Sequence, residues 1–551
     1  MDANREIQAP NSGCKHGGWV TLPFITGAVV GLTLAGVGWT ANLIVYLIGE
    51  FNLNSIDAAQ VFNVVNGGSF VFPIVGAIIA DSFLGCFSVI SIFSCISLLG
   101  TVCVALTATL SSLRPTACNG GSGSSCNHDH PSSVQFLVLY GGITLASLGQ
   151  GGTRFTLATM GANQFEKPQQ QGVFFNWYFI TQYAAYVVGA TALVYIQDNL
   201  SWGLGFGICV AANFLGLVSF LSGNRFYLHD KPRGSPFMDI GRVIVAAFRK
   251  RNFPLSSMPD DYYNPITQAA PPKKAFRFLN RAALKVEGDI RSDGSIAKPW
   301  RLCTLQQVED LKTLFRIFPL WSSSIFLGTT IAMQASLTVL QALNMDRRLG
   351  RHFKIPAGSI LVIQILTSAI FLTLVDRFFS PAWQKVTKKS PSPLQRIGIG
   401  HGLNLLGMAV SALVESERLK TVHDQPEPTP IAPMSALWLV PQLSLVGIGE
   451  SFHYPGQVAL YYEEFPASLR STSTATISLI IGIAFYLSTA IIDLLRRVTR
   501  WLPDSINNGR LDNVYWVLTV VAVLNFGYYL ACAKHYKYQN VEKEAAYDTC
   551  D

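Results

Sequence analysis

Apolar runs long enough to cross a bilayer dominate this chain and leave it few ways to fold. About 30 Å of hydrocarbon takes roughly 20 residues of helix. Runs of that kind fall near 23–48, 61–80, 87–110, 135–160, 172–196 and 203–222, and again near 313–341, 356–376, 396–415, 434–460, 471–493 and 514–533. In lipid every backbone polar group must be satisfied within the segment, so each run is expected to be a helix. Half of the 551 residues are hydrophobic, 13% are charged and the mean hydropathy is +0.32, which suits a bilayer rather than a water-soluble core. The expected fold is therefore all-α, with twelve transmembrane helices in two sets of six. Gly67-Gly68, Pro73, Pro319 and Pro441 are expected to break several of them, as in helices that kink and move.

The polar segments divide the chain further. Residues 1–22 read as a tail without the apolar core and cleavage site of a secretory signal, so the first span is expected to remain as an anchor. The first bundle occupies 23–222, a linker 223–312, the second bundle 313–533 and a second tail 534–551. The linker carries 16 Lys and Arg against 9 Asp and Glu, a net +7 of the chain's formal +8. With the basic segment after the eighth span it places the linker and both tails in the cytoplasm. NMDRRLGRHFKIP, 344–356, is basic yet falls outside on this count, and is read as a structured loop. Basic loops also explain the pI of 8.9, and no stacking-aromatic or recognition-helix pattern points to nucleic acid.

The ten cysteines show no metal-ligand spacing, and no cofactor is expected. Cys118 and Cys126 flank CNGGSGSSC on the outer side, either as two free thiols or as a disulfide with Cα atoms within about 7 Å. Within the membrane, GGTRFTLATMGANQF places Arg154 about 28 Å along the fourth span from Gln135, at 1.5 Å per residue. VGIGESFHYPGQ places Glu450 about 24 Å along the tenth span from Met434. A charge in mid-membrane is costly, about 2.5–3.5 kcal/mol for arginine on insertion scales, and usually faces a partner or a water-filled path. Arg154 and Glu450, one in each half, are natural partners across a central cavity; the alternatives are a snorkelling arginine and a helix-terminus contact for the glutamate. His453 lies three residues after Glu450, either beside it as a proton acceptor or as a packing residue. Gln334 reads as a polar lining group or a helix–helix hydrogen bond.

GGTRFTLATMGANQF resembles the GGIKP…FGADQFD signature of the proton-coupled oligopeptide and plant nitrate/peptide transporter family, within the major facilitator superfamily. GGWVTLPFI, GAIIADSFLG, FFNWYF, PWRLCTLQQVEDLK, MDRRLGRHFKIPAGS, ESFHYPGQVALYYEEFPASLRS and NNGRLDNVYWVL agree in order and spacing. The resemblance implies two six-helix bundles rocking about a central site that holds Arg154 and Glu450. The superfamily's loop motif falls on Gly76, Asp81 and Gly85, with Cys86 and Phe87 where basic residues would follow. The Glu-x-x-Glu-Arg/Lys motif of proton-coupled members falls on Val29, Leu32 and Thr33, so all three charges are missing. That departure resembles the branch with nitrate-excretion-type transporters and carriers of specialised metabolites. It implies low-affinity or export-type movement of nitrate, chloride, a glycoside or an alkaloid, with altered or absent proton coupling.

Two other classes compete with transport. A membrane enzyme would need a nucleophile or a denser acid–base cluster than these spans carry, so no enzymatic activity is expected. A transporter-like receptor could sense the same ligand through the linker, and a flux assay separates it from a carrier. The expected partners are a small-molecule or anion substrate, the bilayer and, in some coupling, protons. The plasma membrane is the expected location, with the vacuolar membrane as the alternative.

Overall fold

The computed structural model describes residues 17–115, 131–229, 234, 236–256, 258–264, 275–351, 353–425, 431–465 and 473–536. Cys118 and Cys126 lie outside them.

The N-terminal half contains α1 (Leu22–Thr40), α2 (Leu43–Phe51), α3 (Ser55–Ile79), α4 (Cys86–Thr109), α5 (Ser133–Ala162), α6 (Pro168–Val188), α7 (Val194–Asn199) and α8 (Trp202–Ser222). A linker helix, α9 (Pro236–Arg249), precedes the C-terminal half. That half contains α10 (Leu305–Leu343), α11 (Val362–Leu374), α12 (Ser380–Thr387), α13 (Pro393–His423), α14 (Val440–Glu464), α15 (Ser473–Val498) and α16 (Leu511–His535). With α1–α2, α6–α7 and α11–α12 each forming one interrupted span, these make the two sets of six expected from the sequence. Among the described residues, ten helices are long and apolar enough to cross a membrane on length and composition alone. The two spans outside that group are α5 and α14, the helices that carry Arg154 and Glu450.

The interruptions are not where glycine and proline suggested. Pro73 and Pro319 sit inside continuous helices, and Pro441 lies in the first turn of α14, where a missing N–H costs nothing. The proline inside that helix is Pro455. Spans one, five and eight are interrupted instead at Ala41–Asn42 and at π-helical turns over Gly189–Leu193 and Val375–Phe379. Three helix starts carry reciprocal capping boxes, Ser132 with Gln135, Thr304 with Gln307 and Ser392 with Gln395. The second fixes the start of α10 at Leu305, so the end of the expected linker belongs to a 39-residue helix that projects beyond the membrane.

The linker is more than a polar connection. α9 turns Val243, Ala246 and Ala247 into a core shared with Leu279, Ala283, Leu305, Val308 and Leu460. Lys250 is buried there, its Nζ 2.8 Å from Asp289 Oδ2 and donating to the Leu284 carbonyl at 2.6 Å. Burial pulls the Lys250 ammonium below the usual lysine range, and Asp289 works against that. The linker therefore folds onto the end of the C-terminal bundle. On the opposite side, the basic loop is structured: β1 (Met345–Asp346) pairs with β4 (Ala432–Ser435), and β2 (Arg348–Leu349) with β3 (Phe353–Lys354).

A second buried ion pair ties the C-terminal bundle together. Glu415 and Arg418, both fully buried on α13, pair at 2.7 Å. Gln341 of α10 donates to Glu415 at 2.7 Å, Arg418 donates to Asn507 and Tyr515 of α16 donates to Gln341 at 3.0 Å. Breaking such a pair strands an uncompensated charge, at about 3–5 kcal/mol. Glu415→Ala is expected to lower the thermal unfolding midpoint of the purified protein sharply, and Glu415→Ala/Arg418→Met to recover part of the loss.

Candidate functional site

The site forms where α3, α5 and α6 face α11, α14 and α15. Arg154 lies on α5, eight residues before its end at Ala162, about 12 Å along the helix. Its side chain is exposed although its neighbours Thr153 and Thr156 are buried, so it borders open space rather than packed protein. The guanidinium lies over the Phe70 ring of α3, 4.6 Å from the centroid. Phe70 stacks in turn on Phe485 of α15 at 5.9 Å, and its carbonyl accepts from Ser478 Oγ at 2.8 Å. An arginine in one half thus rests on an aromatic pair that bridges to the other.

Glu450 is half-buried on α14, and its carboxylate is hydrogen-bonded by the side chain of Gln364 on α11. Tyr183 and Tyr186 of α6 lie within electrostatic reach of both Arg154 and Glu450, so both charges lie near the same stretch of α6. They do not form an ion pair in this state. The similar depths implied by about 28 and 24 Å along the two spans need correction, because residues 432–439 form a strand and a tight turn, so α14 begins at Val440. Glu450 is fourteen residues from the end of its helix, about 21 Å, and Arg154 about 12 Å from the end of its own.

His453 is buried and faces α13, not the Gln364 side: its ring is 5.2 Å from that of His401, which stacks on Tyr529 of α16 at 4.5 Å. Gln334 is buried and donates to Ser411 Oγ of α13 at 2.8 Å, the helix–helix bond of its two readings. Gly76 packs α3 on α5: a Cβ there would sit 2.8 Å from the Gly152 Cα, two residues before Arg154. The carbonyl of Asp81 accepts from the Gly234 N–H at 2.9 Å, tying the start of the linker to the N-terminal half. Gly85 takes φ +76° at the turn into α4, a conformation that favours glycine. Val29 and Leu32, where the resemblance led to carboxylates, are buried in apolar packing with Ile25 and Ala28.

Sequence reasoning did not single out Phe70, Gln364, Tyr183 or Tyr186. Tyr183 and Tyr186 stand three residues apart in the aromatic run FFNWYFITQYAAY, so they share a helix face, and that spacing was the available signal.

Two six-helix sets facing each other over an accessible arginine suit a membrane carrier of the major facilitator fold. The sequence matches the PTR2: POT family model over residues 87–508, and the chain belongs to that family. Protein NRT1/PTR FAMILY 2.6 of Arabidopsis thaliana is 54% identical over 543 residues, covering 98% of this chain and 97% of that protein. Protein NRT1/PTR FAMILY 2.7 of the same plant is 54% identical, with the same coverage. An auto-inhibited POT family peptide transporter shares the fold at a TM-score of 0.69 and 16% identity, covering 94% of this chain and 97% of its own. The POT family transporter PepTSo does so at 0.69 and 16%, covering 95% and 100%. The chain is a multi-pass membrane transporter of the POT/NRT1-PTR family.

The glycine contact makes a test. Gly76→Val would press a side chain into the backbone of α5, an overpacking of about 1–3 kcal/mol. A lowered thermal unfolding midpoint, with less effect from Gly76→Ala, is expected.

Proposed function

We propose that this transporter moves a small inorganic anion of the nitrate or chloride class by alternating access, at low affinity or in the export direction. The observation that carries the reading is Arg154, whose guanidinium is accessible, faces an aromatic ring and among the described residues is not paired with a carboxylate. Its positive charge is thus available to an anion between the halves, with Gln364, Tyr183 and Tyr186 as polar company. The outer ends support a state closed to the outside: Arg347 meets Asp198 at 3.8 Å, Arg496 pairs with Asp57, and Tyr195 stacks on Phe353 at 5.6 Å. The aromatic neighbours Phe70, Tyr183 and Tyr186 favour a second reading, a glycoside or alkaloid that stacks there while Arg154 holds a polar group.

Coupling follows from the same residues. Val29, Leu32 and Thr33 supply no titratable group on the first span, so the anion's own gradient and the membrane potential drive net movement. Of the two central charges Glu450 is the one a proton can neutralise, and its neutralisation would leave Arg154 the sole fixed charge facing the path.

Arg154→Ala is expected to weaken or abolish nitrate and chloride flux in proteoliposomes, by about tenfold or more from the 1.5–3 kcal/mol of a hydrogen bond to a charged group. Arg154→Lys should keep part of the flux, and a neutral solute should lose less. Equal loss for neutral and anionic solutes would remove the anion assignment, and binding of ligand without flux in the wild type would make the chain a receptor. Glu450→Gln is expected to abolish whatever pH dependence the flux retains. Strong uphill uptake driven by an imposed pH gradient, unchanged in Glu450→Gln, would overturn this account of coupling.

A further inference from the structure

On the side opposite the linker, the segment 344–356 carries Arg347, Arg348, Arg351 and Lys354 against Asp346, a net +3. Membrane proteins ordinarily keep such an excess on their other side. Arg347 is answered by Asp198 at 3.8 Å. Among the described residues, Arg348, Arg351 and Lys354 have no carboxylate at ion-pair distance. We infer that these three side chains form a recruiting site for small inorganic anions at the outer mouth of the transport path. The inference rests on the anion reading proposed above.

The backbone holds the three like charges together. β2 and β3 are antiparallel, and Arg348 stands directly opposite Lys354 in their register. Like charges in that position weaken a strand pair, so the arrangement works against the hairpin's own stability. Arg351 follows in the turn, where Gly350 takes φ +72°, a conformation that favours glycine. All three cations are exposed. Side chains alternate along a strand, so Arg348 and Lys354 share one face while Leu349 and Phe353 take the other. Clustered cations of this kind raise the local concentration of a counter-ion and its rate of encounter.

The hairpin also stands where the two halves meet. It belongs to the C-terminal half, anchored beside it by the pairing of β1 with β4. Phe353 nevertheless stacks on Tyr195 of the N-terminal half at 5.6 Å, and Arg347 reaches Asp198, which also accepts from Asn42 Nδ2 at 3.0 Å. Just beyond the hairpin, Gly358 lies so close to the interruption of span one that a Cβ there would sit 2.5 Å from the Ala41 carbonyl oxygen. These contacts must part when the outer side opens, and the hairpin then stays with the C-terminal half. Its cations stand at the rim that an anion passes on entering or leaving. Its aromatic face is turned to the other half rather than to acyl chains, which favours a dissolved anion over a lipid headgroup.

Two measurements test this, one of them without transport. A fluorophore on Leu349→Cys, at a side chain that is half exposed, would be quenched by iodide and by caesium in phosphatidylcholine proteoliposomes, the chain without that change giving the background. Iodide is expected to quench several-fold more than caesium, and Arg348→Gln/Arg351→Gln/Lys354→Gln to remove the difference. Equal quenching by the two ions before neutralisation would overturn the proposal whatever the flux. So would loss of the iodide preference on adding phosphatidylserine, which would give the cations to headgroups. In right-side-out proteoliposomes at about 0.01 M ionic strength, the neutralised chain is expected to take up dilute nitrate about tenfold more slowly, with rates converging at saturating nitrate. Raising the ionic strength to about 0.1 M with gluconate shortens the screening length from about 30 to about 10 Å and should shrink that difference. Arg348→Lys/Arg351→Lys/Lys354→Arg keeps the charge and should restore most of the rate. A loss that ignores ionic strength, or that the charge-keeping variant shares, would make the hairpin's role structural and overturn the proposal. Iodide preference in a chain that moves neither nitrate nor chloride would instead remove the transport reading and leave the anion-attracting hairpin standing.

Discussion

An arginine held inside a membrane without a carboxylate partner must be reached by water, and much of this architecture follows from that. Arg154 costs a few kcal/mol wherever it meets hydrocarbon. Here its side chain remains accessible while the backbone around it is packed, and an aromatic face takes part of the charge. The space that hydrates it can exist only between two bundles, because a single close-packed bundle leaves no room for it. The two helices that carry the central charges give up hydropathy, and α5 and α14 fall outside the ten that composition alone would send across a membrane.

This explains which parts of the protein were legible in the sequence. Length and hydropathy locate the spans because lipid penalises every unsatisfied backbone group, and Arg154 and Glu450 stand out because charge is rare there. Partners are less legible. Glu450 and His453 are three residues apart, yet 60° of rotation about the helix gives one to Gln364 and the other to His401. Phe70 and Gln364 look like ordinary span residues, and only the packing of α3 and α11 brings them to the site. Helix boundaries had a readable signal in the Ser/Thr-x-x-Gln capping boxes, which mark the starts of α5, α10 and α13 within a few residues. The interruptions had none, since a π-helical turn needs neither glycine nor proline.

Strong and weak contacts are also divided in a telling way. Within the C-terminal half, Glu415 and Arg418 are fully buried and linked to Gln341, Asn507 and Tyr515, which ties three helices and the turn at Asn507 together. The linker adds Lys250 and Asp289, buried on the same half. Between the halves, the ion pairs are long or exposed: Arg347–Asp198 stands at 3.8 Å with both side chains mostly covered, and Arg496–Asp57 has about a third or more of each side chain exposed. Pairs of that kind are worth roughly 0–1 kcal/mol. The ion pairs that break when the halves part are thus the weaker ones, and each half keeps its own packing when they do. That division suits a protein whose two halves must part repeatedly while each stays intact.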